Sequence, residues 1–167
     1  MGNREKALYL VLRALGVDAA RLRDFDGRRI AQKTVYLLQE GPHEWDFGYQ
    51  YNLYLRGPYS PALADTGYRL LESVTVAEAA DLSLKDECIV DIERTSRAFT
   101  PPGGELNADL LEVAATVAFL CKYTYGYLPT REEKLASAKA WLSKNKPSLA
   151  SRFDEAVAGL EKLGMAV

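Results

Sequence analysis

The sequence predicts a mainly helical α+β protein with one small sheet. Apolar residues recur every three or four positions through much of the 167-residue chain, which is the pattern of amphipathic and buried helices. One segment, about residues 47–55, instead alternates aromatic or aliphatic residues with smaller polar ones, as an extended segment does. It runs into Gly57-Pro58, so we expect a sharp turn before the next helix.

Two helices are predicted before the extended segment. The first covers about residues 3–15, has apolar residues over a broad face and ends at Gly16, which suits a helix C-terminus. The second covers about residues 28–39, begins after Asp24 or Asp26 as its N-cap and ends at a Gly-Pro pair. We expect the first of them to be well buried.

The corner leads directly into a third helix. Gly57 can adopt the positive φ of a sharp turn, Ser60 can cap the helix, and Pro61 suits the first helical position. Helical spacing continues through about residue 73, and Thr75 offers the start of a further short helix.

A second extended segment is predicted at about residues 86–95. Cys88, Val90 and Ile92 alternate there, as on a strand with one face turned inward. Residues 100–104, with the sequence Thr-Pro-Pro-Gly-Gly, then form the clearest break in the chain.

Three helices are predicted after this break, and each has a start signal. The first is apolar around much of its surface, so we expect it to lie at the centre of the core. The predicted caps are Asn107, Thr130 with Glu133, and Ser148. The helices cover about residues 107–125, 131–145 and 149–163. We expect residues 1–167 to form a single compact domain, with residues 105–167 a helical extension packed on residues 1–100.

Composition indicates a folded globular protein. The chain is 48% hydrophobic and 26% charged, and its formal net charge of −2 lacks the basic excess of dedicated DNA-binding domains. Its longest apolar stretch, residues 113–121, is far shorter than the roughly 20 residues that cross a bilayer, and the N-terminus has no secretory pattern. We therefore expect a cytoplasmic protein without a membrane segment.

No set of residues predicts catalysis. His43 is the only histidine, Cys88 and Cys121 stand 33 positions apart, and neither pattern predicts a zinc site or a reactive pair. Asp91 and Glu93 would share one face of the predicted strand, so a small metal-dependent hydrolase is kept as an alternative. The expectation is a protein that is not an enzyme and that uses no metal or cofactor.

Two segments carry a family resemblance. The helix sequence Gln32-Lys33-Thr34-Val35-Tyr36-Leu37-Leu38 is followed by the corner Tyr54-Leu55-Arg56-Gly57-Pro58-Tyr59-Ser60. Together they resemble the YwgA-like family of prokaryotic proteins, and more distantly the chain is similar to the SocA/Panacea antitoxin-type domain. The resemblance implies a winged-helix-like core with additional C-terminal helices, and it suggests a mobile-element or defence context.

The function predicted from these features is a non-enzymatic regulatory or interaction module. Tyrosines cluster around the corner, and tyrosine and arginine are common anchors of protein interfaces. We expect Tyr54 and Tyr59 to be exposed on either side of Arg56. The predicted binding surface comprises Lys33, Tyr36, Tyr54, Arg56 and Tyr59, and its partner is a protein or a second copy of the chain.

A nucleic-acid-binding transcriptional regulator is the alternative. Arg28 and Arg29 belong to a basic stretch around the second helix, and Arg69 lies on the helix after Ser60, which would be the reading helix. That helix also carries acidic residues, which make it a poor surface for phosphate. A protein partner is therefore preferred.

Overall fold

Nine α-helices and one two-stranded sheet make up the fold within residues 1–43 and 45–167, which the computed structural model describes. The first elements are α1 (Asn3–Ala14), α2 (Ala19–Leu22), α3 (Phe25–Glu40), β1 (Asn52–Tyr54), β2 (Gly57–Tyr59) and α4 (Pro61–Ser73). The remaining helices are α5 (Val76–Ala80), α6 (Asp86–Ala98), α7 (Ala108–Phe119), α8 (Arg131–Asn145) and α9 (Phe153–Lys162). The predicted fold class, a mainly helical α+β protein with a small sheet and C-terminal helices, is confirmed.

Several helices begin at the capping residues that the sequence predicts. Ser60 Oγ accepts a hydrogen bond from the Leu63 amide at 3.3 Å, and Pro61 occupies the first position of α4. The caps predicted for α7 and α8 are also present, at Asn107 and at Thr130 with Glu133. These local signals place the start of each helix without help from distant residues.

The predicted strand at residues 86–95 is wrong, because this segment forms part of α6. Ile92 and Thr95 are buried, whereas Val90, in the middle of the predicted alternation, is 48% exposed. Cys88, Ile92 and Thr95 follow the i, i+4, i+7 spacing of a helix face, and two acidic residues in the first turn suit a helix N-terminus. The short apolar pattern fits both the two-residue alternation of a strand and the spacing of a helix face. Packing of the helical face against the core selects the helix.

Only the end of the predicted extended segment forms a strand. β1 pairs antiparallel with β2, and Asn52 lies opposite Tyr59. Upstream, the main chain of Tyr49 bonds to the side chain of Gln39, donating to Oε1 at 3.1 Å and accepting from Nε2 at 2.7 Å. Because a side chain of α3 satisfies these main-chain groups, they need no strand partner.

Two of the predicted C-terminal helices depart from α-helical geometry at one end. The predicted helix at residues 107–125 consists of α7 followed by a π turn at Leu120–Thr124, and the predicted helix at residues 149–163 begins with a 3-10 turn at Ala150–Arg152. The N-cap of α9 is consequently Arg152 and not Ser148.

The apolar helix α7 lies within the core, as its sequence predicts. It packs against α3, against α9 and against β2, and Leu111, Val113 and Val117 are fully buried. The hairpin formed by β1 and β2 therefore rests on a helix that elements from both halves of the chain hold in place. No helix in the described part of the chain is long and apolar enough to cross a membrane.

Candidate functional site

The β1–β2 hairpin presents an exposed surface with aromatic, aliphatic and basic side chains. At its tip Leu55 is 82% exposed and Tyr54 is 49% exposed. The Arg56 guanidinium lies 5.0 Å from the centre of the Phe25 ring, and the rings of Tyr54 and Tyr59 meet edge to face at 5.6 Å. We define the hairpin face as Phe25, Tyr54, Leu55, Arg56 and Tyr59.

Buried side chains hold the main chain of this hairpin. The Gln32 side chain makes two hydrogen bonds to the main chain of Ser60, donating to its carbonyl at 2.9 Å and accepting from its amide at 3.0 Å. Lys33 Nζ donates to the Pro58 carbonyl at 2.8 Å. The two segments that carry the family resemblance are thus hydrogen-bonded to each other, and they form one structural unit.

The prediction that Lys33 and Tyr36 belong to an exposed surface is wrong. Both side chains are 1% exposed, because they lie on the part of α3 that the core encloses. The Tyr36 ring packs edge to face against Tyr51 at 4.9 Å, and burial raises the pKa of both phenols. Of the five predicted binding residues, Tyr54 and Arg56 are exposed and Tyr59 is half-buried.

Beneath the hairpin lies a group of buried ionisable side chains. We call Arg29, Lys33, Glu112 and Lys146 the buried charge cluster. Glu112 is fully buried, and its Oε2 lies 3.3 Å from Lys146 Nζ, while its Oε1 lies 3.7 Å from Arg29 Nη1. Two basic side chains, Lys146 and Arg29, therefore pair with one enclosed carboxylate, whose charge also acts on Lys33. Arg29 pairs in addition with Asp26 and Asp109, which are more exposed.

Sequence reasoning missed the roles of Glu112 and Lys146. The sequence could have indicated that Glu112 is buried, because it is the one charged residue inside the apolar run Leu110-Leu111-Glu112-Val113-Ala114-Ala115. A charged residue in a fully buried helix requires a counter-charge. No sequence rule identifies Lys146 as that counter-charge, because 34 positions separate the two residues.

Burial lowers the pKa of Lys33 to about 7, against the opposing effect of Glu112. The charges of Lys146 and Arg29 lower it further. The Lys33 amine accordingly exchanges between its charged and neutral forms near neutral pH.

The pH dependence of stability follows from this shift. Because the folded pKa of Lys33 lies below its ordinary value of 10.5, unfolding takes up a proton between pH 7 and 10.5, and stability rises with pH in that window. We expect the free energy of unfolding to gain about 1–3 kcal/mol between pH 7 and 9. Urea denaturation of the wild type and of Lys33→Met at these pH values checks this. The gain should be absent in the variant, and equal pH slopes in the two proteins would contradict the assignment.

The arginines of the nucleic-acid alternative are occupied within the protein. Arg28 is exposed but donates to the Arg23 carbonyl at 2.7 Å, and Arg69 pairs with Glu5. Arg29 is 8% exposed and belongs to the buried charge cluster. The three side chains thus do not form an open basic surface.

The two carboxylates of the hydrolase alternative do not converge. On α6 a separation of two residues turns Asp91 and Glu93 about 200° apart. Glu93 is exposed and pairs with Arg97 at 3.3 Å. In residues 1–43 and 45–167, no three His, Cys, Asp or Glu side chains are grouped as metal ligands are.

Asp91 instead contacts His43 and Trp45. Asp91 accepts a hydrogen bond from Trp45 Nε1 at 3.0 Å, and His43 Nδ1 lies 2.5 Å from its other oxygen. These residues line a groove of about 600 Å³ together with Cys88 and Glu87. Burial and the neighbouring carboxylates raise the pKa of the Cys88 thiol, so this groove does not activate it as a nucleophile.

Comparison with protein families, with curated proteins and with solved structures finds no match to this chain.

Proposed function

We propose that this protein is a non-enzymatic interaction module of winged-helix type that binds a partner protein through the hairpin face. The observation that carries the proposal is the position of Leu55, which is 82% exposed at the tip of the hairpin, between Tyr54 and Arg56. Aromatic residues and arginine are enriched among the residues that dominate binding energy at protein interfaces. Because buried side chains hold the hairpin, little conformational entropy is lost when a partner binds.

The hairpin face also defines the chemistry of its partner. Leu55 requires an apolar pocket, and the Arg56 guanidinium, which stacks on Phe25, is suited to a carboxylate at the rim of that pocket. The resemblance to antitoxin-type domains is compatible with a partner from a mobile-element or defence system. A similar fold does not by itself define a function, so the contact surface carries the proposal.

Site-specific photo-cross-linking tests this proposal. A photoreactive amino acid replaces Leu55, and in a control protein it replaces Val76, which is 88% exposed on α5. In the cells that naturally produce the protein, we expect a discrete adduct from position 55 and none from position 76. Peptide mapping of the adduct should identify an apolar pocket with an acidic rim.

Charge reversal at Arg56 provides a second test of the proposal in the same cross-linking experiment. The substitution Arg56→Glu should abolish the adduct from position 55 while changing the thermal unfolding midpoint only slightly, because the side chain is exposed and loses only its contact with the Phe25 ring. Equal adducts from positions 55 and 76 would contradict the proposal. Tight duplex DNA binding that weakens with salt in an electrophoretic titration would favour the nucleic-acid alternative instead.

A further inference from the structure

The hairpin is too small to hold its own shape. β1 and β2 contain three residues each and form the whole sheet that the described chain contains. Isolated two-stranded hairpins are marginally stable at best in water. The order of the exposed tip must therefore come from contacts outside the hairpin.

Two lysines from different parts of the chain supply such contacts. Lys33, on α3, donates to the carbonyl of Pro58 in β2. Lys146, directly after α8, donates from Nζ to the carbonyl of Leu55 at 2.5 Å. Leu55 lies at the tip, so Lys146 is the contact that reaches the residue most exposed on the hairpin face.

Glu112 holds the lysine that makes this contact. Lys146 is 8% exposed, and its ammonium lies 3.3 Å from the fully buried Glu112 carboxylate. The one ammonium group thus joins a carboxylate of α7 to a main-chain carbonyl at the tip. Hydrogen bonds from charged groups are stronger than neutral ones, particularly when water is excluded.

We propose that Lys146 is a positioning residue, which fixes the tip of the hairpin in its binding conformation and so makes recognition depend on the C-terminal helices. Removing it should destabilise the protein without unfolding it, because Glu112 keeps Arg29 as a counter-charge at 3.7 Å. The tip should then open locally while α7 stays protected. The proposed consequence for binding rests on the proposed function, whereas the ordering of the tip does not.

Native-state hydrogen exchange of the full chain tests the ordering. In Lys146→Met the backbone amides of residues 54–57 should exchange about tenfold faster than in the wild type, which corresponds to the loss of one hydrogen bond from a charged donor. Amides of α7 should change much less. The control is Lys144→Met, which removes an exposed lysine two residues away and should leave both sets of amides unchanged.

A second variant tests whether the ordering of the tip depends on the charge of residue 146 or only on its polarity. Lys146→Gln keeps a polar side chain but removes its charge and shortens it, and it should give the same local acceleration. Equal acceleration of hairpin and α7 amides in both variants, or no acceleration in either, would overturn the proposal. The binding consequence is measured separately, as a reduced photo-cross-link from position 55 in Lys146→Met. If the wild type gives no adduct, the proposed function fails while the exchange result still decides the role of Lys146.

Discussion

Replacing Glu112 with leucine is expected to destabilise the protein by about 3–5 kcal/mol, the cost of removing one partner from a buried ion pair. Glu112 is fully buried and is the shared carboxylate of the buried charge cluster. Without it Lys146 loses its counter-charge, and Lys33 loses the one charge that raises its pKa. Arg29 keeps counter-charges, since Asp26 and Asp109 remain beside it.

Urea denaturation at pH 7 measures this loss, and two comparisons identify its cause. The exposed α8 residue Glu132 provides the control, since Glu132→Gln should change stability little. The double variant Glu112→Leu with Lys146→Met should recover part of the loss, because replacing both charges of a buried pair costs less than removing one. A double variant that is no more stable than Glu112→Leu would show that packing of residue 112, and not its charge, is what matters.

Replacing Gly57 with alanine should lower the free energy of unfolding by about 2–4 kcal/mol, the second large effect that we expect. Gly57 has a φ of +88°, a conformation in which a side chain is strained. A Cβ atom there would also lie 2.7 Å from Thr116 Oγ1 and 3.5 Å from the Glu112 carbonyl oxygen. Strain and overlap therefore act together where β2 rests on α7.

The matching substitution at Gly103 distinguishes backbone strain from steric overlap. Gly103 has a φ of +69°, but nothing lies within 4 Å of the position its Cβ would take. Gly103→Ala should consequently cost about 1–2 kcal/mol from strain alone. Thermal or urea unfolding of both variants makes the comparison, and equal losses would show that the overlap with Thr116 is relieved by small movements.

Much of the fold could be predicted because its signals are local. Ser60 and Pro61 begin α4, and Thr130 with Glu133 begins α8, through bonds within one helical turn. The strand predicted at residues 86–95 failed for the opposite reason. Its apolar positions fit either period, and only contact with the core chose the helix.

The candidate site was predicted less completely. Tyr54 and Tyr59 were predicted to be exposed on either side of Arg56, and the structure exposes Tyr54 and Arg56 but leaves Tyr59 half-buried. Lys33 and Tyr36 were also assigned to the binding surface, yet both are buried. A lysine in sequence indicates an exposed charge unless a partner is known, and the partner of Lys33 is a main-chain carbonyl 25 residues away.

By itself, therefore, the sequence determined the starts of α4, α7 and α8, the corner at Gly57 and the exposure of Tyr54 and Arg56, because neighbouring residues decide those features. Only the tertiary structure decided that Lys33, Glu112 and Lys146 meet beneath the hairpin, and that their bonds reach its main chain. The physical reason is that a buried charge is stable only beside its partners. Those partners come from three separate segments, which the folding of the chain around α7 brings together.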